Sequence, residues 1–122
     1  MQNDYLSDKI IEMHLADEPF RQISSGEKTV EVRLFDEKRK SIHVGDKILF
    51  SRCDGSEEAI RAQVVALHRA QSFREFFTND EMLEKAGFNG MTVDEATVMM
   101  NRYYIIEQEQ TYGVLGIEFV KE

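Results

Sequence analysis

Cysteine is nearly absent. Cys53 stands alone, so no disulfide can form within the chain, and a reducing compartment suits it. Long apolar runs are missing as well: none approaches the roughly 20 residues that a membrane-spanning helix needs. The first residues mix Asp4, Ser7, Asp8 and Lys9 with single apolar side chains and show no signal-peptide core. These absences predict a soluble, cytoplasmic protein with no membrane partner. Basic charge is in deficit: 15 Lys and Arg against 23 Asp and Glu give a formal charge of −8. Such a surface repels polyanions, which argues against extended, non-specific nucleic-acid binding by counterion release. A nucleic-acid role would need a local pocket for one or a few nucleotides.

The common chemical signatures are lacking too. His14, His43 and His68 fall on separate predicted elements without zinc-type spacing, so neither a metal nor another cofactor is expected. There is no G-x-S-x-G elbow, phosphate-binding loop or dinucleotide fingerprint. His68, at the end of a predicted strand, reads as packed or solvated. Repeats and low-complexity linkers are also missing. A chain of 122 residues with 42% hydrophobic content fits one domain spanning 1–122 with a real core.

Strand signals cluster at the two ends. Lys9 to Leu15 carries Ile10, Ile11, Met13 and Leu15, and Lys47 to Arg52 alternates around Ile48 and Phe50. Asp54-Gly55 is a hairpin signal. Glu58 to about His68 follows, with Ile60, Ala62, Val64 and Ala66 on one face. Val65 and Leu67 on the other suggest that its far half is covered on both sides. Gly113 to Val120 is the last strand. The middle is helical: Ser72 with Glu75 and Thr92 with Glu95 have capping-box spacing, and Asn79 or Asp80 caps a short helix that ends at Gly87. This order predicts an α+β domain whose curved sheet closes as a small mixed β-barrel, with flanking helices and a helical insert.

The most informative segment is Gly26-Glu27-Lys28-Thr29-Val30-Glu31-Val32-Arg33. Before it, Asp17 is the expected N-cap of a short helix, Pro19 fits the first turn, and Phe20 and Ile23 share a face. Gly26 then supplies a left-handed exit. From Thr29 to Phe35 the period becomes two, so Val30, Val32 and Leu34 point to the core and Glu31 and Arg33 emerge together on the opposite face. Two readings stay open. The pair is either a solvated ion pair of small energetic weight or part of a charged cleft with Lys28. Asp36 to Lys40 reads as a solvated charged loop.

Aromatic residues divide similarly. The helical spacing of Phe73, Phe76 and Phe77 marks core packing, and Met99 and Met100 read the same way. Tyr103 and Tyr104 are adjacent and cannot both face the core of a regular helix. One phenol is therefore expected at a surface or cleft, where it can stack on a base.

The pattern Gly26-x-Lys28-x-x-Glu31-x-Arg33 resembles that of the ASCH domain, a small β-barrel family related to PUA RNA-binding domains. His14-Leu15, Pro19-Phe20, Gly45-Asp46 and Tyr112 to Glu118 extend the likeness over nearly the whole chain, as in a small stand-alone bacterial ASCH protein. The resemblance implies a PUA-like barrel with a cleft beside the motif that binds RNA or a nucleotide. Ligand-binding candidates are Lys28, Thr29, Glu31, Arg33, Tyr103 and Tyr104. Some ASCH proteins are amidohydrolases of N4-acetylcytidine that use a lysine, a threonine and a glutamate. Lys28 matches the lysine, but Glu31 stands at the threonine position, Thr29 is out of place, and the glutamate position falls near Asn89. The alternative is thus a small hydrolase acting on a modified nucleoside or on RNA, with Lys28 and Glu31 as the reactive pair. A third reading is a protein-interaction module whose cleft is filled by its own side chains.

Overall fold

The computed structural model describes residues 9–122; the N-terminal segment judged to lack a signal-peptide core lies almost wholly outside them. The elements are β1 (Ile10–Leu15), α1 (Asp17–Ser25), β2 (Val30–Leu34), β3 (Lys47–Arg52) and β4 (Ala59–Ala70). After them come α2 (Phe73–Phe77), α3 (Asp80–Leu83), α4 (Val93–Asn101), α5 (Ile106–Tyr112) and β5 (Val114–Lys121). Helices and strands thus segregate as an α+β chain. The five strands form one sheet in the order β1-β3-β4-β5-β2. Among the described residues only the β1–β3 pair is parallel. The sheet curls into a half-barrel whose two edges, β1 and β2, are joined in sequence by α1.

Local signals explain most boundaries. Gly26 is left-handed at φ 89° and its N–H donates to the Ile23 carbonyl, ending α1. The N-cap expected at Asp17 is instead Ala16, which makes no side-chain cap. Asp17 is the first helical residue, and its carboxylate faces Arg21 and Arg52. Thr92 and Glu95 make the full capping box of α4. At α2 only half of the box forms: Ser72 Oγ accepts from Glu75 N, while the Glu75 carboxylate takes the N–H of Gln71. Asn79 caps α3. Asp54-Gly55 lies in a loop over residues 53–58, longer than a two-residue hairpin turn.

Two cores lie on opposite faces of the sheet. The concave side packs Met13, Leu15, Phe20, Ile23, Phe50, Val64, Leu115, Ile117 and Phe119. The outer side packs Val30, Val32 and Leu34 against Phe73, Phe76, Phe77, Met82 and Met100 of the helical insert. Met100 is buried as expected, and Met99 is half-buried. Strand β4 serves both cores because its register shifts between Val64 and Ala66. A bulge inverts the alternation. Val65 is thrown out to 43% exposure, and Leu67 joins the concave core. Both faces of the far half are covered, but Val65, expected to contribute, does not.

Candidate functional site

Burial on both faces decides the character of β2. Glu31 pairs in register with Ile117 and Arg33 with Leu115, and both partners belong to the concave core. Glu31 and Arg33 therefore share a face opposite Val30, Val32 and Leu34, as expected, but that face is interior. Glu31 is only 6% exposed. The solvated ion pair is overturned: this is a buried charge cluster.

Its geometry is closed around one carboxylate. Lys28 Nζ lies 3.2 Å from Glu31 Oε1, and Arg33 Nε lies 2.6 Å from Glu31 Oε2. Burial by itself would raise the Glu31 carboxyl. The Lys28 ammonium and the Arg33 guanidinium outweigh it and hold the group below the usual carboxylate range. Two cations sharing one carboxylate leave an excess positive charge in a low-dielectric place. Backbone oxygens offset part of it. Lys28 Nζ donates to the Ala86 carbonyl at 3.0 Å, and Arg33 Nη2 reaches the His14 carbonyl at 3.5 Å. The second contact links β2 to β1 across the seam of the half-barrel.

The Ala86 contact belongs to a clasp. Helix α3 runs on into a π-type turn, Glu84–Phe88, with Gly87 left-handed at φ 90°. Carbonyls in the last turn of a helix lack intrahelical donors. Here they receive Thr29 N on Lys85, Lys28 Nζ on Ala86 and Gln22 Nε2 on Gly87. The loop between α1 and β2 is thereby anchored to the insert, and Lys28 is held at the strand start.

The six candidate residues part company. Lys28, Glu31 and Arg33 converge. Thr29 contributes main chain, its carbonyl accepting from Phe119 N. Tyr104 is half-buried and stacks on Phe73 with ring centroids 5.6 Å apart. Burial raises its phenol above the ordinary value. Tyr103 is 72% exposed and takes part in no aromatic stack among the described residues. The expectation that one phenol faces outward thus falls on Tyr103, away from the interior cluster. His68 is neither loose nor catalytic in appearance: its Nε2 lies 2.8 Å from Glu118 Oε1, and Lys85 holds the other oxygen. His68 first, then Lys85, keep the Glu118 carboxyl below its usual range.

Some members escaped the sequence reading. The Ala86 and His14 carbonyls carry no side-chain signal at all. Glu109 is 7% exposed and accepts from Phe73 N and Asn101 Nδ2, so a glutamate in an apparently polar helix holds the start of α2. A depression of about 470 Å³ runs along α4 past Gly90, Asp94, Val98 and Arg102. It shares no residue with the charge cluster and carries none of its chemistry. Among the described residues no three His, Cys, Asp or Glu side chains gather as metal ligands, and no helix is long and apolar enough to cross a membrane.

Residues 13–122 match the ASCH domain profile. The chain belongs to the ASCH domain family. A hypothetical protein of known crystal structure is similar to it at 31% identity and TM-score 0.80, over 93% of this chain and 99% of the other. The solution structure of a Pyrococcus furiosus protein is similar at 34% identity and TM-score 0.72, over 92% and 96%. A mutant of the Zymomonas mobilis ASCH protein shares the fold at 16% identity and TM-score 0.65, over 92% of this chain and 68% of that one. No curated protein matches. The ASCH fold is related to that of PUA RNA-binding domains, and in this ASCH domain the Gly26-to-Arg33 motif builds the interior charge cluster.

Proposed function

We propose that this ASCH domain binds RNA or a nucleotide at the seam beside Lys28, Glu31 and Arg33. One observation carries the reading: Arg33 is almost buried and oriented, yet not saturated. Its Nε is engaged by Glu31 and one Nη2 N–H by His14, and among the described residues Nη1 has no acceptor. The side chain keeps 14% exposure, so the outer edge of the fork can be reached. A planar guanidinium fixed this way can offer parallel N–H donors to a phosphate or a base carbonyl at little further entropic cost. Glu31 orients both cations, and Lys28 positions Glu31. Tyr104 stacks on Phe73, which leaves only part of its ring for a base.

The hydrolase reading draws less support. Lys28 and Glu31 are each engaged by partners that hold them in place, which disfavours them as a reactive pair. The interaction-module reading has one observation in its favour: Lys28, Glu31 and Arg33 pair with one another and are little exposed. Amide-shift titration with nucleosides, nucleotides and short single-stranded RNA separates the readings. Arg33→Ala is expected to weaken binding by about ten-fold or more, the usual weight of a charged hydrogen bond, with the fold intact. Unchanged affinity in a folded Arg33→Ala protein would refute the assignment. Conversion of ligand, lost in Lys28→Ala, would favour the hydrolase.

A further inference from the structure

Arg69, on β4, belongs to the same cross-strand row as Arg33. The register runs from Arg33 to Leu115 and from Leu115 to Arg69. Residues paired across a ladder share a face, so both arginines stand on the concave side, two strands or roughly 10 Å apart. Arg69 is exposed but not loose. Its Cζ lies 3.5 Å from the centroid of the Phe35 ring, a cation–π contact that holds the guanidinium over the aromatic face. The Phe35 N–H donates to the Gly113 carbonyl, which fixes the backbone of Phe35 beside the start of β5.

The charges around Phe35 are unequal. Arg33 has Glu31, Arg39 has Asp36 and Lys40 has Glu37. Among the described residues no carboxylate pairs with Arg69. In a chain of net charge −8, an immobilised and unpaired guanidinium in one row with Arg33 makes a local positive field on an acidic molecule.

We propose that Arg69 and Arg33 together hold the phosphate of the ligand, one from each side of the row. This rests on the RNA- or nucleotide-binding reading and narrows it to phosphorylated ligands. The phosphate is either a terminal one on a mononucleotide or a diester within a strand. The competing explanation is that Arg69 only shelters the Phe35 ring.

Calorimetric titration decides between them. The probes are the four ribonucleosides, their 5′-monophosphates, and single-stranded pentaribonucleotides without terminal phosphate. Wild type, Arg69→Ala and Arg69→Lys are compared at low salt, with amide spectra confirming the fold. A monophosphate or pentanucleotide is expected to bind wild type about ten-fold tighter than the matching nucleoside. Arg69→Ala should erase that gain and leave nucleoside affinity unchanged, while Arg69→Lys keeps part of it. Gain with the monophosphate identifies a terminal phosphate; gain with the pentanucleotide alone identifies a diester. If phosphate adds nothing, or its gain survives Arg69→Ala, the clamp is wrong while nucleoside binding at Arg33 stands. If wild type binds none of the probes, the nucleotide reading itself falls.

Discussion

Glu31→Gln is the perturbation that most directly probes the interior cluster. The replacement keeps the shape of the side chain and removes one negative charge, leaving Lys28 and Arg33 facing each other without their shared carboxylate. Lys28 and Glu31 side chains are each 8% exposed and that of Arg33 is 14% exposed, so solvent does little to screen the loss. Removing one partner of a buried ion pair costs about 3–5 kcal/mol, a large share of the roughly 5–15 kcal/mol that stabilises a domain. At about 4 °C per kcal/mol the melting temperature should fall by roughly 12–20 °C. Urea denaturation followed by circular dichroism measures the same loss as a lower midpoint at unchanged slope. A control separates charge from packing: the triple change Lys28→Met, Glu31→Leu, Arg33→Met replaces the whole cluster with apolar volume. It should recover much of the loss, since buried ion clusters are commonly matched by well-packed apolar groups. Recovery should stop short of complete, because the Ala86 carbonyl loses its donor at a cost of about 1–3 kcal/mol. A Glu31→Gln protein within about 1 kcal/mol of wild type would refute the reasoning, since the two cations would then have to be solvated independently.

Acid should act through the same carboxylate. Glu31 and Glu118 are held below the ordinary value of 4.5 in the folded chain, so the unfolded chain takes up protons first as pH falls. Their contribution is fully present above that value and is lost as pH drops through the folded ones. Urea midpoints taken from about pH 6 to about pH 3 should therefore decline, and less steeply in Glu31→Gln than in wild type; equal slopes would remove Glu31 from the account. Gly116→Ala probes the outer core. A Cβ there would lie 2.4 Å from Phe76 Cζ, within a ring that is 4% exposed, so overpacking should cost about 1–3 kcal/mol. Phe76→Leu in the same protein should return part of it, and a single mutant as stable as wild type would contradict the packing described.

Legibility varied with the range of the interaction involved. The chain Gly26 to Arg33 announces its geometry locally: a glycine exit, then a period-two strand that puts Glu31 and Arg33 on one side. That the side is interior was not legible, because it depends on Leu115 and Ile117 arriving from the other end of the sequence. The same limit explains β4. Alternation read from Ala62 and Val64 placed Leu67 on the wrong face, since a bulge at Val65 inverts the pattern and leaves no mark of its own. Tyr103 and Tyr104 were equivalent as neighbours until Phe73 took one of them.

By itself the sequence determined most local elements, the caps at Ser72 and Thr92, a third at Asn79 or Asp80, the acidic net charge and the family pattern. Each is a property of adjacent residues or of a sum over them, so no folding is needed to read it. Tertiary structure alone decided that Lys28 meets Ala86 across 58 positions and that Arg33 meets His14 across 19. It also decided that Arg69 shares the row of Arg33. Backbone carbonyls are identical at every position, and a register is a relation between strands. Only the curling of the sheet, driven by burial of both its faces, selects which carbonyl and which row a buried charge will find.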